Sequence, residues 1–422
     1  MSYNAIIARV KTKPHPNADR IQLADVLGTT VVVGLQTQDN ELGVYFPSDG
    51  VLSHEFCLAN NLYSKSAVQK LGLPEPSSYG FFDHHRRVRT QRFRGEKSDG
   101  LWMPLNSLST FCSVIPYNGV DVEGTMFDNI GGQQVCSKWT TRKPNGGTPG
   151  KPRKAPKGEL VGFPKHQDTE QWDYYKGDIP DGSLLTLTEK LHGTSHRVGL
   201  VMDDERKWWQ FWKPKYRIVH GTRNVVQTDS SVGYYSDESF RQRAVGQLEG
   251  IRKGEVLFGE IVGYAGADSP IMPSATVDKK ELPDVFQQYG PQVSYLYGCK
   301  PGEAKFYVYR IVQFNEDGQG VDLSHAQVVR RCRDLGLNVV PFLRAEVYNE
   351  DFAIADDQIN TFVGEVFNPS QVCPQQMAEG VIIRVDTPDG HTRFLKKKSF
   401  AFKLLEGIIK SQETYVDLEE SA

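Results

Sequence analysis

The sequence predicts an α+β protein built from a small N-terminal β-barrel module and a larger C-terminal domain of antiparallel sheets with helices between the strands. Three observations carry that expectation. Short β-forming runs crowd the first 125 positions, a basic stretch rich in Pro and Gly follows, and from about residue 160 longer strand patterns mix with helical ones without a βαβ rhythm.

In chain order, AIIARV (5–10), TVVVGLQ (30–36) and LGVYF (42–46) read as strands, separated by turns such as Thr37-Gln38-Asp39-Asn40. SHEFCLANNL (53–62) reads as an inserted helix, a pattern that suits a small barrel over residues 1–130. Residues 137–158 hold seven Lys or Arg, four Pro and no acidic residue. Such a segment has too little apolar surface to fold alone, so 131–160 is expected to be a linker. The second domain is placed at 161–412, with 413–422 as a tail. Its strands are SLLTLTEKL (183–191), EVLFGEIVG (255–263), KFYVYRIVQF (305–314), GVIIRVD (380–386) and HTRFLKKKS (391–399). HAQVVRRCRDLG (325–336) reads as a helix, because Val328, Val329, Cys332 and Leu335 recur at helical spacing and Gly336 stops it.

A net charge of −3 over 422 residues gives no global positive field, so any nucleic-acid contact must come from local clusters. The six cysteines (57, 112, 136, 299, 332 and 373) include no C-x-x-C pair, which argues against a zinc site or disulfide framework and for a reducing cytoplasm. No signal core or membrane-length apolar run is present. A cytoplasmic monomer with no membrane partner is expected.

Polar groups on or beside apolar strands are the informative feature. EKLHGTS (189–195) follows the strand TLT, and a lysine there becomes a nucleophile if its amine is partly deprotonated. Gly193 would leave room for a close backbone turn beside a bound nucleotide. K-x-x-G alone is weak. Lys97-Ser98-Asp99-Gly100 and Lys143-Pro144-Asn145-Gly146 repeat it, the first among Arg-rich loop residues and the second in the linker. Phe258-Gly259-Glu260, Phe306-Tyr307-Val308-Tyr309, Glu379-Gly380-Val381 and Lys396-Lys397-Lys398 complete the set. Alternation places Lys396 and Lys398 on one strand face as a clamp for an α-phosphate, with Lys397 on the other. Glu260 and Glu379 suit a ribose hydroxyl and a hydrated metal ion, and Tyr309 offers a flat face for a base. Each element also has an ordinary explanation, such as an edge-strand lysine row, a solvent-facing glutamate or a core tyrosine. Their order along successive strands is what favours a site.

These residues resemble the covalent nucleotidyltransferase superfamily of ligases and capping enzymes. EKLHGTS is similar to its nucleophile motif and HGTRN (220–224) to the Arg-bearing element that follows. FGEIVG, FYVYRI, EGVIIR and LKKKS resemble the third, aromatic, fourth and fifth motifs. K-x-D-G is the nucleophile motif of DNA ligases, which makes Lys97 a rival, but Lys190 precedes Glu260 by 70 positions and Lys97 by 163. Spacing favours Lys190. His192 stands where DNA ligases have aspartate, as in RNA ligases. Only 24 residues follow Lys398, against the C-terminal OB domain expected of DNA ligases and capping enzymes. HPNADRIQLADV (15–26) resembles OB modules of the tRNA-binding type, while GVYFPSDGVLS (43–53), RFRGEKSDGLWMPL (92–105) and SYLYGCKPGE (294–303) resemble segments of the Deinococcus-type RNA ligases.

The resemblance implies an OB-type N-terminal module joined to a nucleotidyltransferase domain with ATP-grasp-like antiparallel sheets, sealing 3′-OH/5′-phosphate breaks in RNA. ATP would be the nucleotide and Mg²⁺ or Mn²⁺ the divalent metal. Lys190 would become lysyl-AMP, Lys396 and Lys398 would hold the α-phosphate, Glu260 the ribose, and Glu379 with Glu260 the metal. Glu189, Leu191, Gly193, Arg223 and Tyr309 would line the nucleotide. The family's arginine before the nucleophile is missing from FPKHQDTEQWD (163–173), where Lys165 is the candidate substitute. RRVRTQRFRGEK (86–97) holds six Lys or Arg against one Glu, with Phe93 among them. Arg86, Arg87, Arg89, Arg92 and Arg94 are therefore expected to meet RNA through its backbone and bases. KWWQFWKPKY (207–216) reads as a hairpin packing Trp208, Trp209 and Trp212 or as an RNA platform. A GTP- or DNA-directed enzyme of the same superfamily and an inactive RNA-binding homologue remain the alternatives.

Overall fold

A computed structural model describes residues 3–112, 122–139, 159–203, 209, 212, 215–227, 239–349, 359 and 369–409. The chain divides into two compact units, Met1–Thr141 with Glu406–Ser411 and Arg142–Leu405 with Gln412–Ala422. Most of the basic stretch between 137 and 158, the 413–422 tail and Trp208 lie outside the described residues.

The first unit contains β1 (Ala5–Arg9), β2 (Lys11–Pro14), β3 (Ile21–Val26), β4 (Thr29–Gly34), β5 (Leu42–Phe46), α1 (His54–Ala59), α2 (Lys65–Leu71), β6 (Thr90–Phe93), β7 (Glu96–Asp99), β8 (Leu101–Pro104) and β9 (Met126–Phe127). One sheet runs β9-β1-β5-β8, a second β2-β3-β4, and β6-β7 forms a hairpin. Among the described residues these ladders do not join into a closed barrel. Alternation in β1 and β5 turns Ala5, Ile7, Val44 and Phe46 onto one core with Leu52 and Phe56. Ser53 and Ser64 start the two helices by accepting from the backbone N–H groups of Phe56 and Ala67. The K-x-D-G motif at 97–100 is structural rather than part of an Arg-rich loop. Its Asp99 is buried on β7, accepts from Thr90 Oγ1 at 2.6 Å, and takes the Tyr45 hydroxyl on its carbonyl at 2.8 Å.

The second unit comprises β10 (Glu170–Gln171), α3 (Trp172–Tyr175), β11 (Leu184–Lys190), β12 (Thr194–Met202), β13 (Tyr216–Gly221), α4 (Ser239–Val245), β14 (Glu255–Gly266), β15 (Ala304–Phe314), β16 (Gly320–Asp322), α5 (His325–Leu335), β17 (Phe342–Val347), β18 (Gly380–Asp386), β19 (Thr392–Lys398) and the start of α6 (Phe400–Ile409), whose residues from Glu406 on belong to the first unit. Sheet one runs β10-β19-β18-β11-β17, antiparallel except for the β10–β19 edge; sheet two runs β13-β12-β14-β15-β16 with two short additions. The class is mixed α+β with antiparallel sheets. The expected α5 forms, with Ser324 and Gln327 closing a capping box and Gly336 ending it at φ 66°. Its apolar stripe is narrower than the sequence implies, because Val329 is exposed and Arg331 takes a buried place, donating to Glu255 Oε1 at 2.6 Å. All six cysteines are free thiols. No described helix is long and apolar enough to cross a membrane.

Candidate active site

Period-two alternation builds the floor of a cleft in the second unit. On β11, β18 and β19, Leu185, Leu187, Val381, Ile383 and Leu395 point to a core under Trp172. The opposite face carries Thr188, Lys190, Ile382 and Lys396, and these residues line a cleft of about 800 Å³ that is open to solvent. Register brings them together: Thr188 lies across from Ile382, Ile382 from Lys396, Lys190 from Gly380, and Gly380 from Lys398. Lys397 faces the other way and pairs with Asp173.

Glu379, fully buried just before β18, is the hub. Its Oε1 lies 2.7 Å from Lys190 Nζ and 3.1 Å from Lys398 Nζ, and its Oε2 lies 3.5 Å from His192 Nδ1. Two ammonium groups on one carboxylate oxygen fix the amine of Lys190 at the cleft floor. Gly380 is what permits this geometry. A Cβ there would stand 2.1 Å from the Lys397 carbonyl, so only glycine lets β19 approach closely enough. His192 is held by its backbone N–H on the Tyr297 hydroxyl at 2.7 Å and by the edges of the Tyr295 and Phe402 rings, 4.6 and 4.9 Å away.

The second sheet supplies Ser195, Glu260, Tyr309 and Arg310 to the cleft. Ser195 Oγ donates to Glu260 Oε2 at 3.3 Å across the β12–β14 ladder. Phe258 pairs with Arg310 but Gly259 with Val308, so Tyr309 is the extra residue of a β-bulge. A bulge re-aims side chains, and here it lets the neighbours Tyr309 and Arg310 both reach the cleft, which strict alternation forbids. The Tyr309 hydroxyl lies 3.1 Å from His166 Nδ1, with the two rings edge to face. Burial first, then the nearby Arg223 and Arg310 cations, push His166 down to about 3, so it is neutral near pH 7. Behind this wall, buried Arg241 on α4 donates to Thr194 Oγ1 at 3.1 Å and to the Ser195 carbonyl at 3.3 Å, bracing the strand that follows Lys190.

The segment 163–169 closes one side. The His166 backbone N–H donates to the Arg223 carbonyl at 3.1 Å, and the Arg223 guanidinium pairs with Asp168. Arg197, buried beneath, donates from Nε to the Thr222 carbonyl at 3.0 Å and from Nη1 to the Phe163 carbonyl, tying the two loops together.

Most of the residues expected at the site meet there. Lys190, Glu189, Leu191, Arg223, Glu260, Tyr309 and Lys396 line the cleft, while Glu379 and Lys398 lie beneath Lys190. Glu189 is buried, accepts from the Gln371 backbone N–H at 2.8 Å, and is pushed above the usual carboxylate range by burial. Three expectations need correction. Lys165 is exposed and does not line the cleft; its successors His166, Gln167 and Thr169 do. Gly193 is not among the residues that line the cleft, and strand approach alone requires glycine there, since a Cβ would meet the Ile261 carbonyl at 2.3 Å. Arg87 is no surface residue: its side chain is 1% exposed and pairs with Asp49 at 2.7 Å. Residues the sequence reading missed include Arg310, overlooked inside FYVYRI beside Tyr309, and His166, Phe394 and Val340, which carry no motif of their own. Among the described residues no group of three or more His, Cys, Asp and Glu side chains is arranged to hold a metal, so Glu260 and Glu379 do not form a closed cage. Trp209 and Trp212 are both exposed; most of the other residues from 207 to 214, Trp208 included, lie outside the described residues, so neither expectation for this stretch is tested.

A family model described as RNA ligase matches residues 184–404, just over half of the chain. No curated protein matches the sequence. Among solved structures, a point mutant of the Naegleria gruberi RNA ligase with ATP and Mn is 19% identical, with a TM-score of 0.58 over 96% of this chain and 98% of that one. The same ligase with pyrophosphate is 20% identical, with a TM-score of 0.57 over 94% and 97%. Another mutant, with AMP and Mn, gives 20% and 0.58 over 94% and 97%. At this identity the likeness is one of fold.

Proposed function

Because the chain belongs to the RNA ligase family, we propose that it is an ATP-dependent RNA ligase sealing 3′-OH/5′-phosphate breaks in RNA, or nicks in RNA-containing duplexes, through a lysyl-AMP at Lys190. The observation that carries this reading is the pairing of Lys190 and Lys398 with the single buried carboxylate of Glu379, at the floor of a solvent-open cleft that Lys396, Arg223 and Tyr309 also line.

In the first step Lys190 Nζ attacks the α-phosphorus of ATP; a P–N bond forms, the P–O bond to pyrophosphate breaks, and pyrophosphate leaves. The ammonium proton has Glu379 Oε1 as an acceptor at 2.7 Å. Next an oxygen of the RNA 5′-phosphate attacks the phosphorus of lysyl-AMP, the P–N bond breaks, and the amine is recovered. Last, the 3′-OH attacks the activated 5′-phosphate and AMP departs. Such transfers depend mainly on positioning and charge neutralisation. Lys396, Lys398 and Arg223 supply cations for the phosphates, Tyr309 packs on adenine, Glu260 binds the ribose, and Glu189 and Leu191 border the base. Glu379 and Glu260 would hold a Mg²⁺ or Mn²⁺ ion through oxygen ligands, and the ion would supply charge neutralisation at the α-phosphate. The first unit we read as an RNA-binding module of the OB type. There Arg94 is exposed, and Arg86, Arg89 and Arg92 are half-buried.

Separate incubations with labelled ATP, GTP and NAD test the nucleotide, and nicked duplexes with RNA or DNA at the 3′-OH side test the strand. We expect labelling by ATP alone and sealing that requires RNA at the 3′ side. Labelling by GTP would point to a capping-type enzyme, and no labelling at all to an inactive RNA-binding protein.

A further inference from the structure

The geometry of the first unit points to a second ligand site, a cavity beside Phe81 that takes one unpaired base of an RNA strand together with its phosphate. The inference deepens the RNA ligase reading and rests on it. Phe81 is 52% exposed, among the larger exposures of an aromatic residue in the protein. An isolated exposed ring carries no information, but this one is built in. The segment Gly80–Phe82 lies against Leu62–Ser64 like an added strand. Gly80 N–H donates to the Tyr63 carbonyl and Phe82 N–H to the Leu62 carbonyl, both at 2.9 Å, while Ser64 N–H donates to the Phe82 carbonyl at 2.9 Å. Gly80 is required for this docking, because a Cβ would meet the Leu62 carbonyl at 2.2 Å. Alternation then sends Phe82 into the core and Phe81 outward. Phe82 backs the exposed ring in a stacked pair, centroids 4.6 Å apart at 28°, and Phe93 meets it edge-on at 6.2 Å. The result is a rigid aromatic platform with little rotamer entropy left to lose on binding.

Beside it lies a cavity of about 450 Å³, lined among others by Phe81, Phe82, Asp83, Arg87, Arg89 and Gln91. Polar and aromatic groups occur there together. Asp83 holds the partly exposed Arg89 through Nη2 at 2.7 Å, whereas Arg87 is buried against Asp49, so Arg89 is the oriented guanidinium that a ligand can reach. A flat ring backed by a second ring accepts the face of any base, a fixed guanidinium accepts its phosphate, and the Gln91 amide offers a donor and an acceptor to a base edge. On β6, alternation puts Gln91 and Phe93 on the side of the Phe81 ring and turns Arg92 away, while Arg94 is exposed where the β6–β7 hairpin turns.

The test uses the full chain and a short, fluorescently labelled single-stranded RNA, without ATP. Phe81→Ala is expected to weaken RNA binding roughly five- to hundredfold, the range found when one stacking aromatic is removed. Phe81→Trp should restore binding, and Arg89→Ala should weaken it while lowering the salt dependence by about one phosphate contact. Lysyl-AMP formation with ATP should be unchanged in the two Phe81 variants, and unchanged circular dichroism and melting midpoints in all three verify that the first unit folds. Wild-type RNA affinity in Phe81→Ala and Arg89→Ala would overturn the site. So would equal loss of binding to an acidic peptide or to free AMP in place of RNA. Failure of the wild type to form lysyl-AMP, with RNA binding still dependent on Phe81, would instead overturn the ligase reading and leave the base site standing.

Discussion

Glu379 makes the sharpest demands at the scale of single residues. It is a fully buried carboxylate facing two ammonium groups and an imidazole. Removing one partner of a buried charge set leaves the others uncompensated, which typically costs about 3–5 kcal/mol. Glu379→Ala should therefore lower the denaturant midpoint markedly and abolish adenylylation, whereas Glu379→Gln, which keeps the shape, should lose adenylylation with a smaller stability loss. Unchanged labelling in the Gln variant would remove Glu379 from the chemistry. Titration gives a second expectation. Burial pushes His220 down to about 4, His166 to about 3 and His196 well below its ordinary 6.5. The folded state holds these rings neutral while the unfolded chain protonates them. Their contribution is thus fully present above pH 6.5 and is lost as pH falls towards 4 and below. Glu189, pushed up by burial, acts in the opposite sense as pH rises past 4.5, one carboxylate against three imidazoles. Urea midpoints should fall with acidification across this window, and His220→Gln should flatten the fall; a pH-independent midpoint would contradict it.

At the scale of elements, glycines and a bulge set how close the strands come. Gly380→Ala would drive a methyl into the Lys397 carbonyl, and overpacking of this kind usually costs about 1–3 kcal/mol. Because Gly380 also sits between Lys190 and Lys398 in the register, adenylylation should fall more steeply than stability, measured as labelling rate against melting temperature. A variant that loses stability yet labels at the wild-type rate would show that the register tolerates the shift. Much of this level was legible in the sequence. The alternation of TLTEK and FLKKK gives the faces of Lys190, Lys396, Lys397 and Lys398, since period two follows directly from the extended backbone. The bulge at Tyr309 was not legible, because register shifts depend on the partner strand. Likewise the burial of Arg87 and Arg331 depends on Asp49 and Glu255, 38 and 76 positions away, and no local pattern announces such partners. His166 escaped notice because the nearby lysine carried the expected charge, while the chain turned the histidine towards Tyr309.

Over the whole molecule, a net charge of −3 coexists with cations concentrated in three places, the cleft floor and the sequence segments 86–97 and 137–158. Association with RNA should therefore be governed by these local clusters and weaken steeply with added salt, despite an overall acidic chain. The proposed covalent step would use residues of the second unit, where motifs spread from residue 189 to residue 398 converge on the amine of Lys190. The most direct test is intact-mass analysis after incubation with ATP and a divalent metal, followed by peptide mapping. The account predicts that the wild-type chain gains one AMP on Lys190 and that Lys190→Ala gains none. An adduct that persists in Lys190→Ala, or maps to Lys97, would contradict it.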